Sequence, residues 1–197
     1  QSLNVNQLGS YQVEVEATDQ FNNVAVKTIQ VDVVDDESPK IKTVGASNGY
    51  YIEVPVFGSS DLSSYLKATD NVDGDVTPFI ESDKKLDTSK QGTQTINVSV
   101  SDNSGNTTEE AFKFFIADMQ TPEITLKSGS DITVDYGSEF KWQDYMTIKD
   151  NLDVNVEPQI EGKIDTKQLD QQTTLTVIVK DSAGNTSKGT LNATVKD

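Results

Sequence analysis

Short runs in which apolar and polar residues alternate recur along the chain, and they predict β-strands. Residues 124–126, 132–134 and 175–179 are typical runs, because apolar side chains at every second position line one buried face of a strand. Gly, Asn, Asp and Ser separate the runs and favour tight turns. Six or seven such runs in each stretch of about 80 residues are typical of a β-sandwich.

Two short stretches have helical spacing instead. Leu62, Tyr65 and Leu66 fall at positions i, i+3 and i+4 within residues 61–67, which places them on one face of a helix. Residues 141–147 align with this stretch, and Trp142 takes the position of Leu62. We predict a single helical turn in each stretch. We also predict that Trp142 belongs to the core, since a position that accepts either Leu or Trp is typical of a buried apolar site.

The pattern repeats with a period of about 80 residues. Residues 8–19 align with 91–102 and more loosely with 171–181, and each segment is followed by a turn and a second alternating run, which predicts three β-hairpins. The preceding half of the unit occurs twice, at 41–87 and 124–165. We therefore predict the C-terminal hairpin of a truncated module at residues 1–36 and complete modules at 37–118 and 119–197.

Composition narrows the chemistry that the chain can support. There are 32 acidic and 16 basic residues, and the formal charge is −16. All basic residues are lysine, and cysteine, histidine and arginine are absent, which excludes thiolate or imidazole zinc sites and Cys or His nucleophiles. The acidic excess disfavours nucleic acids and anionic lipids as partners. No apolar stretch approaches the roughly eighteen residues that a membrane span needs, so we predict none.

Three motifs in a fixed order now suggest a family. They are Ala-Thr-Asp-Asn-Val-Asp-Gly-Asp-Val-Thr at 68–77, Leu-Asp-Thr-Ser-Lys-Gln-Gly at 86–92 and Val-Ser-Asp-Asn-Ser-Gly-Asn at 100–106. This set resembles the bacterial immunoglobulin-like repeats of surface and secreted proteins, to which hyalin-type repeats are closely related. The resemblance covers nearly the whole chain. It implies an all-β fold of tandem immunoglobulin-like sandwiches, the first truncated to its hairpin, and an extracellular location, either secreted or attached to the cell surface or cell wall.

Carboxylates concentrate at one predicted end of the first complete module. In the implied sandwich, the 70–75 loop, the turn after residue 101 and the linker before residue 38 meet at the same pole. Dense oxygen ligands of this kind favour Ca²⁺, so we expect a calcium ion that stiffens the joint between modules one and two. The candidate ligands are Asp35, Asp36, Glu37, Asp70, Asp73, Asp75 and Asp102.

One alternative weighs against this calcium hypothesis, and a second joint offers a weaker candidate. Asp and Asn also favour such loops because they close Asx turns, and their carboxylates can simply remain hydrated. The second joint has a poorer set, because residues 150–155 lack the Gly and the last Asp of the 70–75 loop. Its candidates are Asp118, Asp150, Asp153 and Asp181.

Three functions follow from these features. The first is a non-catalytic spacer or stalk whose partners are the neighbouring modules of a longer chain. The second is an adhesive or carbohydrate-binding module for a host or cell-wall ligand, or an accessory domain of a secreted hydrolase; an exposed patch such as Tyr50 with Tyr51 would favour it. The third is a hydrolase with a carboxylate pair. We predict no enzymatic activity, because the carboxylates repeat in register at turns and no insertion provides a cleft.

Overall fold

Alternating apolar residues form the strands of the computed structural model, which describes residues 3–45 and 51–197. In the strand Gly92–Ser101, for example, Ile96, Val98 and Val100 are buried and the residues between them are exposed or partly buried. This burial confirms the predicted all-β class. The chain divides into two compact units, Gln1–Ile116 and Ala117–Asp197. The module boundaries after residues 36 and 118 stay predictions.

The first unit contains nine strands and two short 3₁₀ helices within its described residues. The strands are β1 (Gly9–Thr18), β2 (Val24–Val33), β3 (Lys40–Thr43), β4 (Ile52–Pro55), β5 (Leu66–Asp70), β6 (Gly74–Asp75), β7 (Glu81–Ser82), β8 (Gly92–Ser101) and β9 (Thr107–Ala117). The 3₁₀ helices are Leu62–Ser64 and Thr77–Phe79. The former lies in the stretch predicted to contain a helical turn.

The β1–β2 hairpin forms a two-stranded sheet by itself among the described residues. Its antiparallel register runs from Gly9 opposite Val33 to Thr18 opposite Val24. The hairpin is therefore present as predicted. Its apolar side chains are largely exposed, since Val15 is 48% and Val26 is 55% accessible.

Two further sheets of the first unit form a β-sandwich. One has the strand order β4-β9-β8-β7 and the other β3-β5-β6. Ala68 of β5 packs with Val76 and with Val100 of β8 in a buried cluster, so the two sheets enclose a common core. This arrangement places the β5–β6 loop and the β8–β9 turn near each other at one end of the sandwich.

The second unit repeats this plan. Its strands are β10 (Glu123–Leu126), β11 (Asp131–Asp135), β12 (Met146–Lys149), β13 (Pro158–Glu161), β14 (Gln172–Lys180) and β15 (Thr186–Lys196), and its 3₁₀ helix is Trp142–Asp144. The sheets are β10-β12 and β11-β15-β14-β13. Met146, Val177 and Leu191 belong to the core, and Trp142 packs against it, which confirms the predicted core role of this tryptophan.

The two units differ after their first long loop. Gly74 adopts a left-handed backbone with a φ of +73°, which leads into β6. Val154 takes its place in the second unit, where a β-branched residue disfavours that conformation. The sheet β10-β12 accordingly has no third strand equivalent to β6.

The helices among the described residues are all three-residue 3₁₀ turns. None of them has the length and apolar character that would let a helix cross a membrane.

Candidate metal centres

Asp35, Asp70 and Asp73 form the first centre. One carboxylate oxygen from each lies within 4.8 Å of the others, and all three side chains are partly buried. Asp35 follows β2, Asp70 ends β5, and Asp73 lies in the loop that leads to β6. The sandwich topology therefore brings the linker and the loop together, as the sequence predicted.

An Asx turn holds the carboxylate of Asp70 in a fixed orientation. Its Oδ1 accepts hydrogen bonds from the backbone N–H of Val72 at 2.8 Å and of Asp73 at 3.0 Å. These bonds, that from Asp73 first, hold the pKa of Asp70 below its ordinary value, because they stabilise the ionised form. The other oxygen, Oδ2, is buried and accepts no hydrogen bond.

Asn103, which lies in the β8–β9 turn, holds the carboxylate of Asp73 in place. Its backbone N–H donates to Oδ2 of Asp73 and its side-chain amide donates to Oδ1, both at 2.7 Å. These bonds join the loop to the turn and confirm that the two share one end of the sandwich.

Asn106 fixes the linker. Its Nδ2 donates to the backbone carbonyl of Asp35 at 3.1 Å and to Oδ2 of Asp102 at 2.8 Å. Oδ1 of Asp35 accepts a bond from the N–H of Glu37 at 3.3 Å, whereas Oδ2 of Asp35 is buried and unpartnered. The chain entering from the hairpin is thus held at the same end as the loop and turn.

The other four predicted ligands lie outside the three-residue cluster. Asp102 is only 8% exposed and closes its own turn by accepting bonds from Asn106. Asp75 accepts a bond from the N–H of Thr77 at 3.0 Å, and the Thr77 side chain and backbone lower the pKa of Asp75. Glu37 lies 3.6 Å from the ammonium of Lys40. Asp36 is exposed.

The second centre contains Asp118, Asp150 and Asp181, with one oxygen from each within 4.8 Å of the others. All three belong to the second unit. Asp118 and Asp181 are each 6% exposed. Asp153, the fourth residue of the predicted set, instead accepts bonds from Ser182, at 2.6 Å from the backbone N–H and 2.9 Å from Oγ.

Unpartnered oxygens mark both centres. Among the described residues, the buried side-chain oxygens without a hydrogen-bond partner are Oδ2 of Asp35, Asp70, Asp118 and Asp150, which belong to these centres, and Oδ1 of Asn151, whose Nδ2 donates to Asp118. A buried carboxylate oxygen without a partner is costly. Hard oxygen donors of this kind fit Ca²⁺, so the residues present suit that ion at both centres.

The asparagines of these centres were not identified as site residues from the sequence. Asn106 and Asn185 hold the carbonyls of Asp35 at 3.1 Å and Asp118 at 3.2 Å, respectively. A signal for them existed, since each stands four residues after a turn aspartate. The pattern indicates a turn, but it does not reveal that the amide also reaches a distant linker.

The structure describes one of the two tyrosines, Tyr50 and Tyr51, that the sequence offers as a patch for ligand recognition. Tyr50 lies outside the described residues. Tyr51 is 36% exposed, and its ring centroid lies 6.0 Å from that of Phe115 in a tilted arrangement. This contact places Tyr51 against a neighbouring aromatic side chain.

No family model matches the chain, and no curated protein matches it. The likeness to bacterial immunoglobulin-like and hyalin-type repeats therefore stays a prediction, whereas the predicted β-sandwich architecture is present.

Solved structures with remote likeness include a protocadherin gamma B7 fragment, at 14% identity and a TM-score of 0.32, covering 100% of this chain and 60% of that one. Another contains the M60 catalytic domain and two CBM51 domains of Clostridium perfringens ZmpB. It is 10% identical with a TM-score of 0.48, and the match covers 99% of this chain and 34% of that one. A third is a Ca²⁺-stabilised, ice-binding adhesin of an Antarctic bacterium. It is 13% identical with a TM-score of 0.24, and the match covers 95% of this chain and 57% of that one. The chain spans less than two thirds of each, and likenesses this remote carry no argument about function.

Proposed function

We propose that the chain is a non-catalytic spacer of a secreted or surface-attached protein, and that Ca²⁺ held by Asp35, Asp70 and Asp73 stiffens its first joint. The observation that carries this proposal is the pair of buried, unpartnered Oδ2 atoms of Asp35 and Asp70. One carboxylate oxygen of each of these two residues lies within 4.8 Å of one of Asp73, and Asp35 and Asp70 come from opposite sides of the joint.

The linker explains why an ion there would matter mechanically. Residues 34–39 connect β2 to β3, and the side-chain amide of Asn106 holds this linker at the carbonyl of Asp35. A bound calcium ion would neutralise the three carboxylates and add bonds between the linker and the 70–73 loop. The hairpin would then have less freedom to move against the sandwich.

Duplication supports a structural rather than a catalytic role for these carboxylates. The equivalent residues of the second unit stand about 80 positions later and close the same turns. Oδ1 of Asp150, like that of Asp70, accepts bonds from the two backbone N–H groups that follow in its loop. A catalytic carboxylate pair needs a formed pocket, whereas repeated turn aspartates suit the joints of a tandem array.

Spin labels can test the proposed stiffening. The chain has no cysteine, so exposed Lys27 of β2 and Lys113 of β9 can be changed to cysteine and labelled. We expect millimolar Ca²⁺ to narrow the distribution of label-to-label distances. The reason is that the hairpin and the sandwich would then share an ion.

Asp70→Asn is the matched variant for this experiment. Asparagine keeps an oxygen that accepts the bonds from Val72 and Asp73 but removes the charge of the unpartnered Oδ2. We expect the distribution to stay broad in this variant with calcium. A distribution that calcium leaves unchanged in the parent chain would refute the calcium joint.

A recognition role, adhesive or carbohydrate-binding, is the alternative. It would be supported if the full chain bound immobilised glycans or cell-wall fragments and if Tyr51→Ala weakened that binding.

A further inference from the structure

We infer that the second unit contains its own calcium site, formed by Asp118, Asp150 and Asp181 together with the amide oxygen of Asn151. This inference does not depend on the first site, because every ligand belongs to residues 117–197. It also assigns an ion to the set that has fewer carboxylates in the sequence and is there the weaker candidate.

Burial is the first argument for this site. Asp118 is 6% exposed, and its Oδ2 accepts no hydrogen bond. Oδ2 of Asp150 is likewise buried and unpartnered. Because folding has already removed these oxygens from water, a cation that meets them has little further dehydration to overcome on the protein side.

The orientation of Asn151 is the second argument. Its Nδ2 donates to Oδ1 of Asp118 at 3.2 Å, which leaves Oδ1 of Asn151 buried and without a partner. A buried amide oxygen without a hydrogen-bond partner is costly, and a cation at this place would satisfy it. The amide, held against Asp118 by its Nδ2, therefore offers a fourth hard oxygen beside the three carboxylates.

The preorganisation of the carboxylates is the third argument. Oδ1 of Asp118 accepts the N–H of Gln120 at 3.1 Å, and Oδ1 of Asp150 accepts those of Leu152 at 3.0 Å and Asp153 at 2.9 Å. Both oxygens of Asp181 accept bonds from Asn185, at 2.7 Å and 2.8 Å. The three carboxylates are thus already oriented.

The spacing suits one calcium ion. The three carboxylate oxygens lie within 4.8 Å of one another. Two ligands on opposite sides of Ca²⁺ are about 4.6–5.2 Å apart, since each bond is about 2.3–2.6 Å long. A single ion can therefore contact all three, whereas Mg²⁺ requires bonds of about 2.0–2.1 Å in a near-ideal octahedron.

Trp142 makes the test specific to this unit. It is the chain's single tryptophan, and it packs against the core of the second unit. Tryptophan fluorescence recorded during thermal unfolding of the full chain therefore measures the unfolding midpoint of this unit. We expect calcium to raise this midpoint, because an ion that binds the native state stabilises it.

Asp150→Asn and Asp70→Asn form a reciprocal pair at equivalent positions. We expect Asp150→Asn to abolish the calcium shift of the tryptophan midpoint and to weaken calcium binding at this site on the order of 100-fold, measured by calorimetry. Asp70→Asn should leave the shift intact. The parent chain should bind one more calcium ion than Asp150→Asn does.

Failure of this inference can be told apart from failure of the first site. A tryptophan midpoint that calcium does not move in the parent chain, or a shift that persists in Asp150→Asn, overturns the second site whatever happens at Asp70. An equal shift with magnesium at the same concentration overturns the assignment to calcium. If Asp150→Asn fails to fold, the fluorescence test on the parent chain still decides.

Discussion

At the scale of single residues, one aspartate–asparagine pair has two different roles. Asp19 with Asn23 and Asp102 with Asn106 make the same bonds within their hairpin turns, each with an Asn Nδ2 to Asp Oδ2 distance of 2.8 Å. In the β1–β2 hairpin the pair is exposed. In the β8–β9 turn Asp102 is buried, and Asn106 also holds the linker carbonyl of Asp35. The same pair thus only closes a turn in the first hairpin, whereas in the β8–β9 turn it also binds the linker to the sandwich.

Replacing Asn106 with Ala should therefore lower the free energy of unfolding by about 1–3 kcal/mol, because it leaves an oxygen of buried Asp102 without this bond. Urea unfolding followed by far-UV circular dichroism measures the change. Asn23→Ala is the matched control, and an exposed substitution of this kind should cost less than about 0.5 kcal/mol. Equal losses in the two variants would contradict a special role for Asn106.

The choice among candidate ligands shows where prediction from residues ends. The sequence places seven carboxylates at one end of the sandwich, and three of them cluster. Asp73 and Asp75 are two positions apart, yet Asp73 meets the cluster whereas Asp75 turns to the N–H of Thr77. That difference depends on which backbone groups need a partner in the folded loop, which spacing along the chain does not reveal.

At the scale of elements, equal patterns lead to unequal burial. The hairpins β1–β2 and β8–β9 both alternate apolar and polar residues. Ile96 of β8 is completely buried, whereas Val15 of β1 is 48% exposed. The alternation predicts a strand in both places because it is local, but burial depends on the neighbouring strands that each hairpin packs against.

Backbone amides of β1 and β2 should therefore exchange with solvent much faster than those of β8 and β9. An isolated two-stranded hairpin is marginally stable in water, and weakly packed segments open most readily. Hydrogen exchange followed by mass spectrometry compares the two hairpins within one molecule. Equal protection would mean that another segment or a second chain covers the first hairpin.

At the scale of the whole molecule, the sequence predicts the repeat but only some of the differences between its copies. The period of about 80 residues predicted two complete sandwiches, because internal repetition reflects repeated architecture. Loss of Gly74 from the second copy was visible in the sequence, where Val154 replaces it. The buried, unpartnered oxygen of Asn151 was not, since it follows from a side-chain orientation set by the hydrogen bond to Asp118.

The parallel pairing of β11 with β15 determines how the second unit responds to tension. Asp131 lies opposite Asn192, and the pairing continues to Asp135 opposite Lys196. When the chain is pulled from both sides, the start of β11 and the end of β15 are drawn in opposite directions along their length. The hydrogen bonds between them then resist together in shear instead of opening one after another.

In single-molecule pulling we expect this unit to yield in one abrupt, high-force step. The N–H of Asn192 donates to the Ser130 carbonyl and the N–H of Tyr136 donates to the Lys196 carbonyl, so in this parallel pairing the even-numbered residues of β11 direct their N–H groups toward β15. Val134→Pro should therefore lower that force by removing one of the pairing hydrogen bonds. A gradual, low-force extension of the parent chain would contradict this expectation. A protein that holds its neighbours at a distance under flow would gain its resistance from the edge strand β11 and the interior strand β15, which lie far apart in the sequence.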